Sequence, residues 1–214
     1  MTTRSLHERR VIESDRSDIE EVYFNKTIER VSGVSKIIPN IDKKSITVNG
    51  KKCDNIFLEP EKLKDLVDSY LQPQNFYPIH GDPTFSNSII DNNLKVWFID
   101  PRGYFNKPGI YGDRMYDFAK LYYSAVGGYD NFNRRKFKLH VDSETVEVIM
   151  DKPPFANDAD ALFTEYFGSS KAKIEIIHGL IWLSLSGYAK DDIDSVIGSF
   201  YMGLYWLENG LKRL

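Results

Sequence analysis

Apolar positions along this chain change their period several times, and each change marks a predicted element. Over residues 18–31 they recur at Ile19, Val22, Tyr23, Ile28 and Val31, the stripe of an amphipathic helix. Ser17 or Asp18 is placed to cap it and Gly33 to stop it. Residues 45–53 (SITVNGKKC) read as strand, turn and strand, because Asn49-Gly50 suits a type I′ turn. Helical spacing returns over 60–71, with Leu63, Leu66, Val67 and Leu71 on one face. Two short apolar runs then flank Asn92-Asn93 and read as a hairpin. Residues 114–126 read as a helix ending at Gly127-Gly128. A second hairpin spans 136–150, where KFKLHV and TVEVIM alternate around Asp142-Ser143-Glu144. The last third is helical, over 158–167, 171–188 and 191–211, and Ile193, Val196, Ile197, Phe200, Leu204 and Leu207 form a core stripe. The expected fold is α+β, mostly helical with short β-hairpins. Segment 104–111, with glycines in or beside it, is the expected mobile loop.

Length and composition narrow this picture. A chain of 214 residues suits one substantial domain, and 42% hydrophobic with 28% charged residues is ordinary for a globular protein. A formal charge of −3 argues against a duplex nucleic-acid binder, which would carry a basic stripe. The apolar run 176–185 is interrupted by His178 and Gly179 and is too short to span a membrane. The start, MTTRSLHERR, lacks the apolar core of a secretory signal, and the single Cys53 excludes an internal disulfide, so the expected compartment is the cytoplasm. His178 lies on an apolar helix and reads as a packed core histidine. His7, His140 and Cys53 have no second ligand nearby and form no zinc spacing.

The chemistry concentrates in IHGDPTFSNSIIDNNLKVWFIDPRG (79–103). If Asn92-Asn93 form a two-residue turn, Asn87 faces Phe98, and Asp100, two residues on, shares Asn87's face. Diagonal neighbours of this kind lie roughly 7–8 Å apart, close enough for an amide oxygen and a carboxylate to share a cation. Magnesium favours such oxygens and keeps its other positions for water and phosphates. Asp82, on the preceding turn, is placed to take a proton from an acceptor hydroxyl. Taken singly, each of these residues also fits an ordinary turn, where Asp, Asn and Pro are common.

Together, HGDPTFSN (80–87), FIDPRG (98–103) and YGDRMYDFAKL (111–121) resemble the aminoglycoside phosphotransferase superfamily, which includes choline kinases and fructosamine kinases and shares the protein-kinase fold. The resemblance covers 79–121 and implies a kinase-like large, C-terminal lobe. It implies Mg²⁺ and ATP, with the γ-phosphate passing to a hydroxyl of a small molecule such as a sugar. Carried over by position, Asp82 is the catalytic base and Asn87 and Asp100 are the magnesium ligands. Asp117 holds the catalytic-loop backbone, His80 braces it, and Arg102 is a candidate phosphate or substrate contact. Segments 1–78 and 122–214 then form a helix-hairpin-helix lead-in and a closing hairpin with C-terminal helices of the same lobe.

The chain departs from the family before His80. Gly33 and Gly50 are the only earlier glycines, so no glycine-rich phosphate loop is present, and Lys51 and Lys52 beside the Asn-Gly turn are weak candidates for the phosphate lysine. The expectation is a large lobe without its N-terminal lobe. It is a fragment, a half-kinase completed by a partner chain or a second copy, or a binding module without transfer activity. An exposed apolar patch beside the 87–100 hairpin would favour a docking partner.

Overall fold

The computed structural model describes residues 6–214. Strand β1 (Ile12–Glu13) leads into helix α1 (16–34), in which a π-helical turn, Glu21–Asn25, joins α-helical Arg16–Glu20 to Lys26–Val34. Asp15, rather than Ser17 or Asp18, caps α1: its side chain accepts from the Ser17 N–H, so the helix begins earlier than the apolar stripe. The helix also runs through Gly33. No Cβ contact lies within 4 Å of that glycine, and a lone glycine weakens a helix without ending it.

Strands β2 (Ser45–Val48) and β3 (Lys51–Asp54) pair as predicted, with Asn49 (φ 48°) and Gly50 (φ 75°) in the left-handed region that a type I′ turn needs. Helix α2 (60–71) starts at Pro60 and finishes in a π-helical turn, Val67–Leu71. Next come β4 (Asn75–Pro78), the hairpin β5 (Ser88–Ile90) and β6 (Val96–Phe98), β7 (Tyr111–Gly112), α3 (Arg114–Ala125) and α4 (Tyr129–Asn133). Strands β8 (Phe137–Val141) and β9 (Thr145–Met150), then α5 (Ala156–Phe167), α6 (Lys171–Tyr188) and α7 (Ile193–Leu211), complete the chain. The fold is α+β, and the described residues form three small sheets ordered β1-β4-β7, β3-β2-β9-β8 and β5-β6.

The core lies where α6 packs against α7, α1 and α3, with α7 also resting on strands β2, β3 and β9. Trp182, Tyr122, Tyr123, Tyr201 and Phe200 are fully buried there. His178 is a core residue, as expected from its apolar helix: it accepts a 2.6 Å hydrogen bond from the Trp182 indole, and burial keeps its pKa well below the usual histidine range. Among the described residues no helix is long and apolar enough to cross a membrane.

The three-stranded ribbon has a positioning role. β4 ends two residues before His80 and pairs with β7, which ends at the cap of α3. The 80–87 loop therefore starts beside the first turn of α3. Segment 104–111, predicted mobile, is anchored at successive residues. Phe105 is 3% exposed, Asn106 bonds Asp18 and Lys26, and Lys107 pairs with Asp15 and Asp18. Its glycines shape turns, while its side chains tie it to α1.

Candidate active site

The β5–β6 hairpin corrects the expected register by one residue. Asp91 and Lys95 close a three-residue loop, 92–94, with Leu94 in the left-handed conformation (φ 61°) and the Asp91 carboxylate accepting from the Asn93 and Lys95 N–H groups. Ser88 therefore pairs with Phe98, and Asn87 lies opposite Ile99, whose N–H it accepts at 2.9 Å. A one-residue slip moves a side chain to the other face, so strand alternation does not put Asp100 on the side of Asn87. Asp100 is instead turned by its own left-handed backbone (φ 55°) and lines a cavity with Asp82. Asn87 is not part of that wall. Its amide nitrogen donates to the Asp82 backbone oxygen (2.9 Å) and carboxylate (3.0 Å).

The 80–87 loop is built on α3. Asp117 is fully buried, and its two oxygens accept from the backbone N–H of His80 (2.8 Å) and Gly81 (2.7 Å). One turn on, the Lys120 ammonium lies 3.1 Å from the Asp82 carboxylate. Another turn on, Ser124 Oγ accepts from Phe85 N–H at 3.1 Å. These positions, i, i+3 and i+7, share one helix face, so a single stripe of α3 carries the whole loop. Asp113 caps the helix through Met115 N–H and also accepts from the Tyr23 hydroxyl; burial raises its pKa.

A second set of bonds joins this loop to the end of β6. His80 Nδ1 accepts from Asp82 N–H, so Nε2 carries the proton and donates to Ile99 O at 2.9 Å. Arg102 N–H donates to His80 O at 2.9 Å. Gly81 sits at φ 82°, and a Cβ there would lie 2.8 Å from the Arg102 Cβ, so only glycine fits this junction. Asp82 and Asp100 are thereby brought into the wall of one cavity of about 620 Å³.

The Arg102 guanidinium also faces the cavity, donating to the hydroxyls of Tyr116 (2.9 Å) and Tyr104 (3.1 Å). Tyr104 and Phe105 both share the wall, Phe105 being also packed into the core against Tyr23, Phe76 and Tyr116. Lys51 is remote from this set: it bonds Asn209 and lies over the Tyr205 ring of α7. Cys53 is buried and its thiol pKa is pushed up to about 12 by burial, which removes it as a nucleophile.

Sequence reasoning missed His7, Lys120 and Ser124. The three-and-four spacing of Lys120 and Ser124 from Asp117 was the available signal. His7 is buried, with Nε2 3.0 Å from the Asp117 carboxylate across 110 residues, and nothing local in the sequence announces it.

The expected magnesium ligands are Asn87 and Asp100, of which Asp100 lines the cavity and Asn87 does not. Asn87 has both its amide hydrogens directed at Asp82, which leaves Oδ1 as its free ligand atom, and Asp100 is an exposed carboxylate on the cavity wall. Among the described residues no group of three or more His, Cys, Asp or Glu forms a closed metal site. No protein-family model, curated protein or solved structure matches this chain.

Proposed function

We propose that the chain is the large lobe of a magnesium-dependent phosphotransferase that moves the γ-phosphoryl group of ATP to a hydroxyl of a small molecule, a sugar or sugar-like alcohol. One observation carries this reading. Asp117 clamps two consecutive N–H groups of the loop that aims Asp82 into the cavity, and Asp100 lies in the same wall. A carboxylate held this way, beside a second carboxylate suited to a metal, is the minimum equipment for phosphoryl transfer, which depends on positioning and charge neutralisation.

Asp82 accepts the hydrogen bond of the acceptor hydroxyl. As the new O–P bond forms and the γ-phosphorus parts from its bridging oxygen, Asp82 takes the proton and ADP leaves. Asn87 holds the Asp82 carboxylate from one side and Lys120 from the other. Lys120 is largely buried; burial opposes its charge, but the Tyr116 hydroxyl and the Asp82 carboxylate outweigh that and raise its pKa, so it stays cationic beside the transferring group. Asn87 Oδ1 and Asp100 would hold the magnesium ion, which neutralises charge on the donor's phosphates. Arg102 is available to the phosphates or to the acceptor.

The test uses thermal unfolding with and without about 1 mM ATP and excess magnesium. A Kd of ~10 μM would give about 2.7 kcal/mol of stabilisation. In a chain of this size that is on the order of 5–10 °C in midpoint. Asp100→Ala removes the shift. Asp82→Asn keeps the shift but lowers phosphate transfer from labelled ATP by roughly 10²–10⁴-fold. Transfer that survives Asp82→Asn would rule out its role as base.

A second reading has its own observation. The β5–β6 hairpin exposes Ile89, Ile90, Leu94, Trp97 and Ile99, with Leu94 84% exposed. Exposed apolar side chains on both faces of the hairpin, Ile89 and Trp97 on one and Ile90 on the other, suit a docked lobe, supplied by a partner chain or a second copy, and in that case the isolated chain is a binding or regulatory module.

A further inference from the structure

The same cavity carries an excess of positive charge, and two of its cations, Lys26 and Arg30, have no part in the transfer step. Its wall includes Lys26, Arg30, Arg102 and Lys120 against the carboxylates of Asp82 and Asp100. Lys120 is paired with Asp82. The other three have no carboxylate within ion-pair reach among the described residues, although the chain carries 31 acidic residues and a net charge of −3. Lys26 donates to the Asn106 amide oxygen at 2.9 Å. Arg30, one helical turn along α1, donates to the Tyr188 hydroxyl at 2.8 Å and lies over that ring at 4.3 Å. Arg102 is held by two tyrosine hydroxyls and lies over the Tyr104 ring at 4.3 Å.

Stacking and hydroxyl contacts orient a guanidinium without neutralising it, and each of these groups keeps donors free for a ligand. The three cations converge on one region: Arg102, Arg30 and Lys26 all lower the pKa of the Tyr104 hydroxyl, with the Arg102 hydrogen bond the largest cause. Neutral hydroxyls would not need this field, and a cationic acceptor would be repelled by it.

We infer that the acceptor is an anion: a hydroxylated small molecule bearing a carboxylate or phosphate, its charged end held by Arg30, Lys26 and Arg102 while a hydroxyl faces Asp82. This rests on the phosphotransfer reading for the role of the ligand, but not for its charge. Arg30 and Lys26 sit on α1 and, among the described residues, make no hydrogen bond or ion pair to the 80–87 loop, so they are assigned to the acceptor and not to the ATP phosphates.

The experiment is calorimetric titration of the full chain with matched probes: glucose, glucose 6-phosphate, glucuronate and glucosamine, and separately Mg-ATP. At least one anionic probe is expected to bind tenfold or more tightly than glucose, with glucosamine weakest. Arg30→Met and Lys26→Gln, in chains shown by circular dichroism to be folded, are expected to cut that preference to less than threefold and leave Mg-ATP affinity unchanged. The inference is overturned if neither anion outranks glucose, if glucosamine binds best, or if the two variants weaken Mg-ATP instead. If the anion preference holds while Mg-ATP fails to bind, the charge assignment stands and the phosphotransfer reading falls.

Discussion

At the residue scale, the site depends on one buried carboxylate. Asp117 satisfies the N–H groups of His80 and Gly81 and also meets His7, all without solvent access. Removing it leaves two buried donors unpaired, each costing about 1–3 kcal/mol. Asp117→Ala is therefore expected to lower stability by roughly 2–4 kcal/mol in urea unfolding, and Asp117→Asn by less, since one acceptor oxygen remains. A loss below about 1 kcal/mol for the alanine variant would mean water replaces the carboxylate and the clamp is not structural. The residue types of the site were legible in sequence because Asp, Asn and His recur there in a spaced motif. Lys120 and Ser124 were legible only as a helical stripe, and they acquire meaning once Asp117 is known to face the loop.

At the scale of elements, α6 and α7 approach closely through glycines. A Cβ on Gly203 would stand 2.6 Å from Leu183 Cγ and 2.8 Å from its backbone nitrogen, and one on Gly179 would stand 2.7 Å from the Leu207 nitrogen. These glycines face each other's helix, so the pair packs almost backbone to backbone. Gly203→Ala is expected to destabilise by roughly 1–3 kcal/mol through overpacking. Gly33→Ala, in open space on α1, is expected to gain about 0.5–1 kcal/mol from helix propensity. Chemical denaturation of both variants decides the matter, and equal effects would show that the α6–α7 contact relaxes freely. Helices and hairpins were well anticipated because their periods are local. The β5–β6 turn was not, since a second asparagine and a left-handed Leu94 turn an expected two-residue loop into three. That single residue of register was enough to undo the parity argument for Asn87 and Asp100.

At the scale of the whole molecule, the exposed apolar side chains of the β5–β6 hairpin are the feature with the clearest consequence. If it is a docking surface, the chain alone should self-associate with rising concentration, as seen by sedimentation velocity. Ile90→Lys with Leu94→Lys should return it to monomer without moving the unfolding midpoint, because both side chains are exposed. A monomer at every concentration would leave the hairpin as plain surface and remove the support for a second copy on it.

The sequence by itself determined the longer helices, the hairpins, the α+β class and the candidate residues Asp82, Asn87, Asp100 and Asp117, because hydrophobic period, turn residues and motif spacing are written within short stretches of chain; the ribbon β1-β4-β7 and the short helix α4 were not anticipated. Only the tertiary structure decided which of the candidate residues share a wall. It set Asp82 and Asp100 in one cavity, kept Asn87 behind Asp82, and brought Lys26 and Arg30 from α1 to a site whose motifs begin at His80. The charge of that cavity depends on side chains meeting across elements, and no local period in the chain encodes such a meeting.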